Sequence, residues 1–221
     1  MKRAVSFFIL LASVYTAGNA QYFVEGRLGV RYHSDISMFN DVPPNFYLNV
    51  SPLAGYRINN KMAVGTKASL IRQKETGMMI DKDTGNEVEF ELSRPGWSLA
   101  VFARNKLWGT KKISFLVESS LFRSGDSFIR KKETIVIEGT TYSSFGINML
   151  PLVTFELSDR LSLIAACEFL SLDLSSRTTS DHLTDFIQRR YHFGFTGKST
   201  IFRYSPYTRV GVIYYFKNQP K

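Results

Sequence analysis

Tyr207–Phe216 reads YTRVGVIYYF, and the alternation in this stretch decides what kind of protein the chain makes. Successive strand side chains point to opposite faces, so Thr208, Val210, Val212, Tyr214 and Phe216 share one face, and Arg209, Gly211, Ile213 and Tyr215 the other. The first face is greasy, and the second carries a charge and a glycine. A soluble strand turns its apolar face to a core, but aromatics gathered near the strand's end point to a girdle at a lipid–water boundary.

The same alternation recurs upstream. Val24, Gly26, Leu28, Val30 and Tyr32 alternate with Glu25, Arg27, Gly29, Arg31 and His33, giving one apolar and one densely charged face. Phe46 to Arg57 sets Phe46, Leu48, Val50, Ala54 and Tyr56 against Tyr47, Asn49, Ser51, Leu53, Gly55 and Arg57. Pro52 cannot donate to a ladder and predicts a bulge or a local break in pairing. Val64, Thr66, Ala68 and Leu70 oppose Gly65, Lys67, Ser69 and Ile71, and Trp97, Leu99, Val101 and Ala103 oppose Ser98, Ala100, Phe102 and Arg104. Ile113, Phe115, Val117, Ser119 and Leu121 face away from Ser114, Leu116, Glu118 and Ser120. Phe145, Ile147, Met149, Val153 and Phe155 face away from Gly146, Asn148, Thr154 and Glu156, with Pro151 an irregularity. In Leu161 to Leu174 the phase is ambiguous after Glu168, so one clean face needs a bulge.

Between these strands, short turns alternate with long polar connections. The turn in Arg57–Ala63 is echoed by Glu156–Ser162 and more loosely by Arg104–Ile113, a weak repeat of about 50 residues that fits two strands of about ten residues plus one loop and one turn. Three short turns imply eight strands with both chain ends on one side. Arg72–Leu92, around Asp83-Thr84-Gly85-Asn86, reads as a hairpin projecting beyond a membrane, and Ser124–Thr141 repeats the idea. Ser175–Pro206 reads either as one long loop or as a further hairpin around Gly197-Lys198-Ser199. Ten strands is therefore the alternative count.

Lys2 and Arg3, the apolar run Ala4–Tyr15 and Ala17-Gly18-Asn19-Ala20 have the order of a secretory signal peptide cleaved before Gln21. The predicted organisation is a leader at 1–20 and one barrel domain at 21–221. Leaving out Lys2 and Arg3, 28 cations become 26 against 19 anions, a formal +7. An exported basic chain points to anionic lipid or lipopolysaccharide phosphate rather than nucleic acid. Cys167 is the only cysteine, which excludes an internal disulfide framework and a CxxC site.

With a leader, alternating strands, a long-loop and short-turn rhythm and the terminal RVGVIYYF, the chain resembles the small Gram-negative outer-membrane β-barrel proteins of the porin-like, OmpA/OmpX/OmpW-type superfamily. The resemblance covers essentially the whole mature chain. It implies a transmembrane antiparallel up-and-down barrel in the outer membrane, inserted by the barrel-assembly machinery through a C-terminal strand in which Val210, Val212, Tyr214 and Phe216 face lipid. Five residues follow Phe216, where such strands usually end on the aromatic, and no periplasmic C-terminal domain is implied. Family functions range over adhesion, envelope integrity, small-solute passage and lipid enzymology.

The inward faces collect Arg27, Arg31, Arg57, Lys67, Arg104 and Arg209 against Glu25, Glu118, Glu156 and Glu168. A small barrel's interior is just wide enough for side chains to fill, so these groups are expected to pair. The main expectation is a structural, adhesive or envelope-interaction role, with extracellular partners met through loops that include Arg130-Lys131-Lys132 and Arg189-Arg190. A narrow anion-favouring pore, a soluble ligand-binding barrel and a lipid-modifying barrel enzyme are the alternatives. For catalysis, His33-Ser34-Asp35 fails because Ser34 points away from its neighbours in an extended strand. His182 and His192, near Asp181 and Asp185, have no motif tying them to a serine. No catalytic residue, metal ligand or cofactor is assigned.

Overall fold

The alternating stretches singled out in the sequence form strands, with Leu161–Leu174 divided between two of them. The computed structural model describes residues 21–33, 36–37, 40–41, 45–80, 85, 87–132, 135–167, 170–181, 187–195 and 208–216. The expected leader at 1–20 lies outside them. The strands are β1 (Gln21–His33), β2 (Ile36–Ser37), β3 (Asn40–Asp41), β4 (Asn45–Arg57), β5 (Met62–Ile80), β6 (Glu87–Gly109), β7 (Ile113–Lys132), β8 (Ile135–Glu156), β9 (Leu161–Cys167), β10 (Leu172–Asp181), β11 (Ile187–Phe195) and β12 (Thr208–Tyr215). β2 and β3 pair only with each other. The other ten form one antiparallel sheet in the order β11-β10-β8-β7-β6-β5-β4-β1-β12-β9, and because β9 also pairs with β8, eight of them close a ring.

Eight strands and ten strands are thus both present, in different senses. β9 and β10 lie end to end along β8: Leu152 pairs with Ala166, whereas Met149 pairs with Leu172, so three residue steps on β8 stand against six on the other side. The odd excess restores a clean outward face after the break, as the ambiguous phase beyond Glu168 required. Pro151 sits opposite the interruption, where no ladder needs its missing N–H. Pro52 has the milder effect of breaking the β4–β5 pairing between Val50 and Leu53 without shifting its register. β10, which runs to Asp181, pairs with β11, which starts at Ile187, and the hairpin expected around Gly197-Lys198-Ser199 lies outside the described residues.

The three short turns share one device, which explains the 50-residue repeat. Asn59 Oδ1 accepts from the N–H of Lys61 and Met62 at 2.8 Å each. Thr110 Oγ1 accepts from Lys112 and Ile113 at 3.3 and 3.2 Å, and Ser158 Oγ from Arg160 and Leu161 at 3.3 and 3.2 Å. In each turn a short polar side chain holds the backbone N–H groups two and three residues on, which favours a tight reversal. Both described chain ends lie on this side, where Phe216 N donates to Tyr22 O at 2.9 Å.

Strand lengths divide the barrel vertically. β1 and β4 have 13 residues each, but β5, β6, β7 and β8 have 19, 23, 20 and 22. A strand needs about 9–11 residues to cross a bilayer. The four long strands therefore continue about ten residues beyond the ring and, with β10 and β11, build a raised sheet on the side away from the short turns.

On the ring, the outward side chains are apolar and uncovered: Val24, Leu28, Val50, Leu70, Leu99, Val101, Ile147, Leu163, Val210 and Val212 are all exposed. Aromatics flank this band. Tyr22 packs on Tyr56, Trp108 on Phe115 and Tyr214 on Phe216 at the turn side, and Phe46, Trp97 and Phe145 lie at the other. Phe155 and Phe145 on β8 are ten residue steps apart, about 33 Å of strand at ~3.3 Å each. At a tilt near 40° this projects to about 25 Å, the height of the apolar band of a membrane barrel.

The interior is filled. Phe23, Leu53, Phe102, Leu150, Leu152, Ile164, Ala166 and Ile213 form an apolar cluster inside the ring. Gly55 and Gly65 make room for it, since a Cβ at Gly55 meets the Phe23 ring and one at Gly65 meets Phe102.

Candidate functional site

Two carboxylates and three cations meet across the lumen. β1 supplies Glu25 and Arg27, β5 Lys67, β6 Arg104 and β7 Glu118. In the ring β1 and β7 are four strand positions apart, which is diametrically opposite. Only a long side chain spans that gap, and Arg27 does so: its Nη2 donates to Glu118 Oε2 at 2.5 Å and its Nη1 to Oε1 at 3.4 Å. Arg27 Nε also bonds Glu25 Oε1. Arg104 bridges the same two carboxylates, with Nε 2.9 Å from Glu118 Oε2 and Nη1 2.6 Å from Glu25 Oε2. Lys67 Nζ donates to Glu118 Oε1 at 2.9 Å. Arg27, Glu25, Arg104 and Glu118 thereby close a loop of ion pairs, and Arg27 and Glu118 are 1% and 0% exposed.

Ladder register puts these residues in reach. Arg104 pairs directly with Glu118, and Leu53 pairs with both Glu25 and Lys67. Charged groups this deeply buried are tolerated only when paired and hydrogen-bonded. Arg209 adjoins the belt: its Nη1 donates to Ser51 Oγ at 3.0 Å, and that hydroxyl stands 2.8 Å from Asn49 Oδ1 and 2.9 Å from Ser69 Oγ.

Not every charge expected inside joins this belt. Arg57 lies near the turn end with its guanidinium 4.2 Å from the centroid of Tyr215, and Glu156 lies exposed beside the turn to β9. Both are strand-terminal, and both line a vestibule of about 720 Å³ at that end. Arg31 stands in β1 opposite Tyr47, its side chain outside the described residues. Glu168, His182 and Asp185 also lie outside them. Val210, Val212, Tyr214 and Phe216 are exposed along the outward face of the last strand and its end.

A second cavity of about 280 Å³ lies on the opposite side of the belt, lined by Lys67, Ser69, Asn148, Asp173 and Arg209 among others. It shares no lining residue with the vestibule. Asp173 there accepts from Ser175 Oγ at 2.6 Å, and Ser175 pairs across the ladder with His192. The sequence reading left His192 without a serine, and this juxtaposition depends on a β10–β11 register that no local motif signals.

The raised sheet carries a looser arrangement on its inward face. Arg94 Nη2 lies 2.6 Å from Asp126 Oδ2, and Arg177 Nη2 3.7 Å from the same oxygen. Arg177 and Arg94 stand over the Tyr142 ring at 3.9 and 5.7 Å, and Arg130 over Phe90 and Phe128 at 5.5 and 5.7 Å. Arg190 pairs with Arg177 across the β10–β11 ladder. Arg94, Arg130, Arg177 and Arg190 thus share a face with Glu75 and Asp126, and by register with Glu138, which stands opposite Arg130, and Asp181, opposite Thr140. On the outer side of the sheet, Lys74 Nζ bonds Glu91 Oε1 at 3.0 Å, and that hydrogen bond holds the Glu91 carboxyl below the ordinary carboxylate range.

No protein-family model matches the chain, and no curated protein matches it in sequence. Among solved structures it is similar to a major outer membrane protein of Thermus thermophilus, with 15% identity and a TM-score of 0.46 over 90% of this chain and 100% of that one. It is also similar to Neisserial surface protein A, with 14% identity and a TM-score of 0.35 over 90% and 99%. The attachment invasion locus protein Ail of Yersinia pestis gives 11% identity and a TM-score of 0.33 over 89% and 98%.

Proposed function

We propose that this protein is an integral outer-membrane β-barrel with a closed lumen, serving a structural and adhesive role through the sheet raised above the membrane. The observation that carries the reading is the contrast between the two sides of the ring: apolar and uncovered outside, filled by mutually satisfied charges inside. A soluble protein would leave Leu99, Val101, Val210 and Val212 facing water, a large continuous apolar surface at odds with a soluble fold. Outer-membrane lipid is the solvent that fits them, and insertion by the barrel-assembly machinery through β12 belongs to the same reading.

The buried belt argues against the pore alternative. An ion crossing the lumen would have to part Arg27 from Glu118, a contact with no water on either side chain. The working surface is instead the inward face of the raised sheet, where Arg94 and Arg177 keep part of their side chains in solvent and suit an anionic extracellular partner.

The test is membrane fractionation followed by gel migration of unboiled and boiled samples. Recovery with the outer membrane and a heat-dependent mobility shift are expected. Recovery as a soluble periplasmic protein with no shift would overturn the reading.

A further inference from the structure

A notch of about 260 Å³ opens on the outer surface of the raised sheet, lined by Arg123, Ser143, Ser144, Phe145, Ser176, Thr178 and Arg189. No carboxylate lines it. Arg189 Nε donates to Ser176 Oγ at 3.0 Å, which aims the guanidinium along the sheet. Arg123 has no ion-pair partner among the described residues.

Four strands change character at this height. Leu121 lies below Arg123 on β7, and Phe145 and Ile147 lie below Ser143 on β8. Leu174 lies below Ser176 on β10, and Phe193 below Arg189 on β11. These apolar side chains are exposed, Phe193 by 74%. Above the row Leu121, Ile147, Leu174 and Phe193 comes Arg123, Phe145, Ser176 and Tyr191, and above that Ser143, Thr178 and Arg189, so the change from apolar to cationic and hydroxyl-bearing side chains is made within two ladder rows, with the notch across them. Arg123 pairs with Phe145, Phe145 with Ser176, and Ser176 with Tyr191, so the two arginines stand three strands apart. At about 4.8 Å per strand, and about 6.6 Å for the two residues from Tyr191 to Arg189, the separation is roughly 16 Å, and two extended arginine side chains meet over one small anion near its midpoint.

We infer that this notch holds the phosphate of a phosphorylated lipid headgroup in the outer leaflet, with the lipid's acyl chains lying over Phe145, Ile147, Leu174 and Phe193. Guanidinium forks match phosphate oxygens in pairs, and hydroxyls of Ser143 and Thr178 supply further donors. The apolar surface directly below selects a lipid-borne phosphate over a free one. This inference rests on the membrane placement proposed above.

The test uses the full chain in detergent micelles and measures, by native mass spectrometry, binding of diphosphorylated lipid A, its dephosphorylated form and inorganic phosphate. Wild type is expected to bind lipid A. Arg123→Gln and Arg189→Gln are each expected to weaken it about tenfold, and dephosphorylation of the lipid to weaken it at least as much. Inorganic phosphate is expected not to compete. Unchanged lipid A binding by the double variant, or competition by inorganic phosphate at equal concentration, would overturn the inference. Heat-dependent migration is read on the same samples: a shift with unchanged binding strikes the notch alone, whereas a wild type without a shift strikes the membrane reading beneath it. Where the glutamine variants do not fold, Arg123→Lys with Arg189→Lys replaces them. It keeps the charge but loses the fork, and no loss of binding there would also overturn the inference.

Discussion

The belt across the lumen and the raised sheet above it are made from the same residue types and share β5, β6 and β7, yet they are different materials. In the belt, five charged side chains from four strands satisfy one another almost wholly out of solvent, with Lys67 the most accessible at 9% side-chain exposure. In the raised sheet, Arg94, Asp126 and Arg177 keep 36%, 22% and 39% side-chain exposure. The difference is enclosure. A closed ring of eight strands puts every inward side chain opposite another within one arginine's length, so a charge there must be paired. Once the strands leave the ring the facing wall is gone, and the same alternation presents cations to water, where pairing is worth little and an incoming anion can compete for them.

The comparison breaks most readily at Glu118, which accepts from Arg27, Lys67 and Arg104. Glu118→Ala should destabilise the folded barrel by about 3–5 kcal/mol, because three cations lose their shared partner, measured as a lower urea midpoint in lipid vesicles. The next largest effect is expected on the opposite face of the wall. Val101→Arg places a charge near the middle of the apolar band and should cost about 2–4 kcal/mol in the same assay. A neutral result there would show that Val101 does not face lipid.

Asp126→Asn removes a partner from the raised sheet rather than the belt. Stability should fall by no more than about 1 kcal/mol, while retention on a polyanion column at low salt should increase, since Arg94 and Arg177 lose their carboxylate. Loss of stability on the scale of Glu118→Ala would erase the distinction between the two regions. The smallest effect is at Lys74–Glu91. The Glu91 carboxyl titrates below its unfolded value, so the pair's contribution is present above the ordinary carboxylate range and disappears as pH falls through the lowered folded value. A carboxyl chemical-shift titration should place the Glu91 midpoint below that of a free glutamate, and salt should move it back.

The strands and their faces were legible because alternation is local: Glu25 and Arg27 inward, Val24 and Leu28 outward, follow from period two alone. The turns at Asn59, Thr110 and Ser158 were legible for the same reason, each being a side chain bonding its own next residues. The pairing inside was not. Arg27 meets Glu118 from 91 residues away because ring closure sets β1 opposite β7, and no local pattern encodes a diameter. Arg57 and Glu156 were expected in the same network because their parity is right, but parity gives direction and not height. Height above the turns places both in the vestibule. The apolar half of the interior was underread for a related reason: Leu53 and Phe102 were placed inward, but only closure brings them against Leu152, Ile164 and Ile213. β10 beyond Leu174 was not legible because its side chains are polar on both faces over Ser175–Ser180, where alternation carries no signal.

Conductance of the full chain in planar lipid bilayers decides whether paired charges shut the lumen of a membrane-spanning ring. Membranes in which gel migration confirms the folded barrel should show no steady single-channel current, because the Arg27–Glu25–Arg104–Glu118 belt stands between the vestibule and the cavity beyond it, which share no lining residue. A steady, ion-selective current from the folded wild-type protein would contradict the account.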